Sequence, residues 1–191
     1  MPAATSTASW RTSSAAAERP TRTRPNVLGV HLTVRDATAR DAGPLREVAS
    51  LAWRDTYVGL LSEATIEAFI DRAYSIEHLE RRIRDHTFLV VEDSTIVAFA
   101  DAAVDGARLN LGAIYAHPER RGRGAGTKLL AALQARFPGL PISADVLVGN
   151  RKGEVFYERR GFVPRETLRA ELFDEAVVER RWWLDRPEDR P

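Results

Sequence analysis

Three glycines and three arginines crowd the stretch Ile114-Tyr-Ala-His-Pro-Glu-Arg-Arg-Gly-Arg-Gly-Ala-Gly-Thr-Lys-Leu-Leu130. Glycine lets backbone N–H groups approach an anion with no Cβ in the way. A helix that begins there offers unpaired amide donors and the positive end of its dipole. Arg120, Arg121 and Arg123 add full charges. A strand end, a Gly-rich turn and a helix start together make a cradle for a pyrophosphate. The dinucleotide pattern G-x-G-x-x-G fails, because counting from Gly122 its last position is Thr127. The Walker pattern fails too, since neither Gly122 nor Gly124 starts one. What remains is Arg121-x-x-Gly124-x-Gly126.

Other side chains could take part in chemistry. Asp101 and Asp145 fall inside predicted strands, where an unpaired buried carboxylate is costly. Each is therefore a base, an anchor for an ammonium group, or the partner of one of the 26 arginines. Trp53 and Tyr57 lie one helical turn apart and share a face. That face reads as core packing. Asn150 is read both as a side chain that hydrogen-bonds a ligand and as the N-cap of the helix after it. Arg151 and Lys152 could meet a phosphate or simply be solvated. The four histidines are scattered without metal-ligand spacing and there is no cysteine, so no metal site, disulfide or thiolate nucleophile is expected.

The elements that must position these groups follow from periodicity and caps. Residues 31–35 read as a short strand, after which Asp41 caps a helix carrying Leu45, Val48, Ala49, Ala52 and Trp53 on one face. Ser62 and Ser75 read as N-caps of short helices over 63–70 and 76–84. Strands are expected at 87–91 and 95–104, joined by an Asp93-Ser94 turn, and at 109–116, stopped by Pro118. A helix over 124–137 turns Leu129, Leu130 and Leu133 inward. A strand at 142–148, a helix at 152–160 and a last strand at 177–184 complete an α+β chain. Gly112 inside its strand suggests a bulge.

With those segments in order, the chain resembles the GNAT superfamily of acetyl-CoA-dependent N-acetyltransferases. Arg121-x-x-Gly124-x-Gly126 matches the family's R/Q-x-x-G-x-G/A pattern. Ile114-Tyr-Ala-His-Pro118 resembles the strand end before it, and Asn150, Phe156-Tyr157 and Gly161-Phe162 resemble the family's N-x(5)-F-Y-x(3)-G-F segment. Trp53-Arg-Asp-Thr-Tyr57 with Gly59-Leu60-Leu61 resembles the first helix and loop of many bacterial members. The resemblance implies a GNAT fold, a mixed central sheet flanked by helices whose two parallel strands splay. It implies that the pantetheine arm of acetyl-CoA lies in the splay along Ile114, Tyr115 and Ala116. The pyrophosphate would meet amides of Arg121, Gly122, Arg123, Gly124, Ala125, Gly126 and Thr127, with Asn150 on the arm. Tyr157 would return a proton to the CoA thiolate, a task that suits a phenol of pKa ~10. Trp53 and Tyr57 would wall the acceptor site. The acid that many relatives carry on the strand before the glycines is absent here, so no base is assigned.

Composition narrows the remaining choices. The 191 residues hold 28 Lys+Arg against 27 Asp+Glu, a net +1 that speaks against a nucleic-acid binder. No apolar run is long enough to span a membrane. Ala, Ser, Thr and Pro fill 18 of the first 26 positions, so 1–26 is expected to be a disordered extension and 27–191 the domain. The acid-poor, Arg-rich extension has a transit-peptide flavour, but a cytoplasmic protein is the expectation. The implied acceptor is a small-molecule amine, with a peptide amine or a non-catalytic acyl-CoA sensor as alternatives. Adjacent Trp182 and Trp183 must point to opposite faces of the last strand, which leaves room for a homodimer contact.

Overall fold

Residues 88–91 show how the sheet forms. Phe88 and Val90 bury on one face and Leu89 and Val91 on the other, so the strand is apolar throughout because both faces are covered. The computed structural model describes residues 31–186, and the extension expected over 1–26 lies outside them. The strands are β1 (Thr33–Asp36), β2 (Thr87–Glu92), β3 (Ile96–Asp105), β4 (Arg108–Ala116), β5 (Ile142–Leu147), β6 (Val163–Leu172) and β7 (Glu175–Leu184). They form one mixed sheet in the order β1-β2-β3-β4-β5-β7-β6, and only the β4–β5 pairing is parallel.

Helices cover the two faces. On one, α1 (Ala42–Tyr57), α2 (Glu63–Ala73) and α3 (Ile76–Asp85) press Leu45, Val48, Trp53, Ile66, Ile70 and Leu79 onto Phe88, Val90 and Phe99. On the other, α4 (Ala125–Arg136) sets Leu129, Leu130 and Leu133 against Leu89, Val91 and Leu109. The helix α5 (Arg151–Glu158) brings Phe156 and Tyr157 to the same side. Ser62 and Ser75 do cap, their hydroxyls accepting from Thr65 N at 3.1 Å and His78 N at 3.2 Å. Asp41 stands at the N-cap of α1 but its carboxylate does not cap. It turns back to accept from Thr38 N at 2.7 Å and from Arg35 at 2.8 and 3.0 Å.

Two features of β4 shape the site. Its register against β3 jumps, with Asp101 opposite Ala113 and Ala102 opposite Leu111, so Gly112 is the extra residue of a bulge. Its pairing with β5 ends after Leu109↔Ile142 and Asn110↔Ser143, and beyond that the two strands separate.

One strand was not expected from the sequence. β6 contains Pro164, four charges and hardly a buried residue. Those traits are tolerated because it is the outermost strand, pairing only with β7. On β7, Trp182 is buried, while Trp183 lies on the other face with its Nε1 donating to Glu166 at 3.0 Å.

Candidate active site

Where β4 and β5 part, a cleft of about 600 Å³ opens. Residues 111–116 of β4 form one wall, and Asp145 and Val146 of β5 face them. His117 N donates to Val97 O at 2.8 Å, which fixes the parity of the antiparallel ladder with β3. Bonded pairs then recur at every second residue, at Tyr115↔Phe99 and Ala113↔Asp101. The backbone groups of Ile114 and Ala116 therefore point away from β3, into the cleft. An extended, amide-bearing ligand could pair with them as an added strand would.

One end of the cleft is the Gly/Arg loop. Gly124 occupies the N-cap of α4 in the left-handed region, at φ +89°. The N–H groups of Ala125, Gly126 and Thr127 have no acceptor within the helix, and all three residues line the cleft. Gly126 answers a different need. A Cβ there would come 2.7 Å from the Phe156 ring, so its absence lets α4 and α5 approach.

Cations gather around these amides. Arg120, Arg121, Lys152, Arg159 and Arg160 all line the cleft. The Asp55 carboxylate, near the end of α1, accepts from both Arg121 and Lys152 Nζ, the latter at 2.7 Å. Those two bonds hold Asp55 below the usual carboxylate range, the Lys152 contact most of all. The Arg160 guanidinium lies 3.7 Å over the Phe156 ring and donates to Thr127 Oγ1 at 2.6 Å. Burial, with Arg159 beside it, lowers its pKa.

Tyr157 lines the cleft. Its ring is held edge-on by Phe156 and Phe162, at centroid distances of 5.2 and 5.0 Å, and is stacked on Trp182. No group among the described residues hydrogen-bonds its hydroxyl. Burial, helped by the charge of Asp145, pushes its pKa up, so the phenol keeps its proton. Asn150 also lines the cleft, and its Oδ1 accepts from Gly153 N at 2.9 Å. The capping reading is therefore realised at a residue that still faces the cleft.

On the α1 side, Thr56 and Tyr57 close the cleft. The hydroxyls of Tyr57 and Tyr115 lie 3.4 Å apart. Burial pushes Tyr57 up to about 12. Trp53, expected to wall the site, is not in the lining. It faces the sheet, stacked on Phe69 at 3.9 Å and against Tyr57 at 4.3 Å, where it supports Tyr57 from behind. Arg123, expected on the pyrophosphate, is exposed and outside the lining.

The two candidate aspartates have separate fates. Asp101 is 3% exposed and lies outside the lining. It accepts from Arg82 at 2.8 and 2.5 Å and lies 2.8 Å from His86 Nδ1, so it joins α3 to the sheet and is not a base for the cleft. Asp145 does line the cleft, with both oxygens held by Arg181 at 2.7 and 2.9 Å. Three further groups escaped the sequence. Arg159 and Arg160 fill the spacer of the Phe-Tyr-x(3)-Gly-Phe segment, Arg159 as the C-cap of α5 and Arg160 just beyond it, where two adjacent basic residues were a readable signal. Asp55 is 66 residues from Arg121, and no local pattern ties them.

The arrangement can seat an elongated ligand: a diphosphate at the start of α4, an arm along β4, and a reactive end between Tyr157, Tyr57 and Asp145. The acetyltransferase (GNAT) domain model matches residues 84–164. A spermidine N(1)-acetyltransferase of Thermoplasma acidophilum is 30% identical over 158 residues, covering 78% of this chain and 98% of that protein. The crystal structure of a PaiA N-acetyltransferase from the same organism, in complex with coenzyme A, superposes with a TM-score of 0.69 at 27% identity, covering 78% of this chain and 98% of that one. A GCN5-related N-acetyltransferase of Rhodopseudomonas palustris has the same fold, with a TM-score of 0.68 at 22% identity over 80% of this chain and 94% of its own. With the splayed sheet, the glycine loop and these relatives in agreement, the chain belongs to the GNAT acetyltransferase family.

Proposed function

We propose that this acetyltransferase moves an acetyl group from acetyl-CoA to the primary amine of a small molecule, by direct attack while both are bound. The single observation that carries the reading is Tyr157. It is a buried phenol without an internal hydrogen bond, aimed into the cleft where β4 offers the free backbone of Ile114 and Ala116.

The residues divide the work along the cleft. The amides of Ala125, Gly126 and Thr127, with Arg121, Lys152 and Arg160, would hold the CoA pyrophosphate. Ile114 and Ala116 would pair with the amides of the pantetheine arm, and Asn150 would fix its far end. That arm places the thioester by Tyr157. As the amine displaces the thiolate, the phenol gives up its proton to sulfur. A tyrosine with a raised pKa is protonated at every pH where an acetyltransferase is assayed, so this step needs no special ionisation. The cleft has no cysteine to accept the acetyl group, in keeping with direct transfer.

The acceptor side favours a compact amine. Tyr57, Tyr115 and Asp145 offer aromatic surface and one carboxylate. The relative named for spermidine supports a polyamine as the first acceptor to try. The test is turnover of acetyl-CoA with spermidine, spermine, monoamines and N-terminal peptides, on wild type and Tyr157→Phe. The variant should lose about 10²–10⁴-fold in kcat, the usual worth of a positioned proton donor. Its acetyl-CoA affinity should stay within about 3-fold. A variant that turns over like wild type would remove Tyr157 from the reaction. Turnover of peptides alone would move the acceptor from small amines to polypeptides.

A further inference from the structure

The proposed transfer lacks a group to take the proton of the incoming ammonium, and Glu179 on β7 is placed for it. Cross-strand pairing fixes where its side chain goes. Arg181 lies opposite Asp145 and Glu179 opposite Leu147, so all four share one face of the sheet. Leu147 and Val177 on that face belong to the apolar cluster that contains Tyr57 and Tyr115. Glu179 therefore stands on the acceptor side of the sheet, behind the cleft wall that Asp145 and Tyr57 form.

Its surroundings are those of a base. It is half-buried, and among the described residues no hydrogen bond or ion pair holds its carboxylate. The charged and titratable groups facing it are Asp145 on β5, Tyr57 on α1, Arg181 on its own strand and, beyond Arg181, Glu166 on β6. Desolvation first, and then the negative charge of Asp145, raise its pKa, while Arg181 pulls the other way. Arg181 binds both oxygens of Asp145, while Glu179 keeps its lone pairs unshared and its pKa is raised. A carboxylate used by an arginine makes a poor base, and a free, partly desolvated one makes a good base.

We infer that Glu179 accepts the proton of the attacking amine, through one intervening water at the wall formed by Asp145 and Tyr57. The inference rests on the acetyl-transfer reading above. The ammonium gives one proton to the Glu179 carboxylate, and the freed amine nitrogen forms its bond to the thioester carbonyl carbon. The carbon–sulfur bond breaks, sulfur keeps the electron pair, and Tyr157 supplies its proton. Glu179 releases this first proton to solvent, and the second proton, which the nitrogen sheds as it becomes an amide, returns through the water to the Tyr157 phenolate. One ammonium and one thioester become one amide, one thiol and one proton.

The test is the pH dependence of kcat/KM with spermidine for wild type, Glu179→Gln, Glu179→Asp and Tyr157→Phe. Glu179→Gln should lose about 10²-fold near pH 7.5, at the lower end for general-base help. Its log rate should then climb with pH, following the amine's own ionisation, and come within about 3-fold of wild type near pH 10. Glu179→Asp should recover at least a tenth of the lost rate. Tyr157→Phe should stay impaired at every pH, which separates failure of the base assignment from failure of the transfer mechanism. Folding is controlled by acetyl-CoA affinity and melting temperature. Because Glu179 bears an unpaired, half-buried charge, the glutamine variant should melt at or above wild type. A profile parallel to wild type at all pH values, or a loss of less than about 3-fold at pH 7.5, overturns the assignment.

Discussion

Asp55 occupies two of the cations that line the cleft beside the α4 amides, so on the proposed function replacing it should make the cofactor bind more tightly. Its carboxylate joins Arg121 on the glycine loop to Lys152 at the start of α5. A diphosphate seated on the α4 amides must take these cations from Asp55. The magnitude follows from exposure. The side chains of Arg121, Asp55 and Lys152 are 31%, 37% and 54% exposed, which places both pairs among surface ion pairs. Such pairs are worth roughly 0.2–1 kcal/mol each, and two that share a carboxylate do not add fully. Losing about 0.5–1 kcal/mol of competition tightens binding about 2- to 5-fold. Calorimetric titration of Asp55→Asn with CoA should show that gain at about 0.05 M salt. It should shrink at about 0.5 M, where exposed charges are screened over a few ångströms. Weaker binding by Asp55→Asn at low salt would refute the reasoning. Asp55 would then be holding Arg121 and Lys152 in place for the ligand, not competing with it.

Two further outcomes bear on packing and on pH. Gly126→Ala puts a methyl group 2.7 Å from the Phe156 ring, which is itself pinned under Arg160. We expect a loss of about 1–3 kcal/mol in chemical denaturation, the usual cost of overpacking, together with weaker CoA binding as α4 and α5 are pushed apart. Asp41 is held down at about 2, chiefly by its bonds from Arg35 and then by Thr38, against the opposing effect of burial. A carboxylate with a depressed folded-state pKa stabilises above its unfolded value near 4, and that help vanishes as pH falls toward 2. Asp41→Asn should therefore be about 2 kcal/mol less stable than wild type at pH 7, with the two converging near pH 2. A constant gap across that range would mean that the loss comes from geometry, not charge.

The parts of the molecule that were legible in the sequence are those whose signals are local. The glycine loop shows itself because its residues are adjacent and each answers a neighbour's backbone need. Gly124 takes a left-handed φ where the helix must start without a cap, and Gly126 leaves room for Phe156. The bulge at Gly112 and the caps at Ser62 and Ser75 were visible for the same reason. β6 was not, because an edge strand is released from the rule that makes strands recognisable. With one side unpaired and both faces wet, it can carry Pro164 and four charges and still be held by β7.

Trp53 shows the opposite difficulty. One helical face carries both a cleft residue, Tyr57, and the core residue that props it, and a spacing of four cannot say where the cleft ends along that face. The acids were harder still. Asp101 and Asp145 look alike in sequence, each a lone acid in an apolar strand. What separates them is which arginine arrives, Arg82 from α3 or Arg181 from β7, and that is set by packing between distant segments. Glu179 sits in the charged run before the paired tryptophans and reads as one more solvated residue. Only the pairing of β7 with β5 shows that Arg181 reaches Asp145 and leaves Glu179, one pleat away, without a partner among the described residues. The register that gives Asp145 its arginine thus leaves Glu179 its proton affinity. Shifting β7 by a single residue would turn both side chains to the other face of the sheet and separate them from the cleft together.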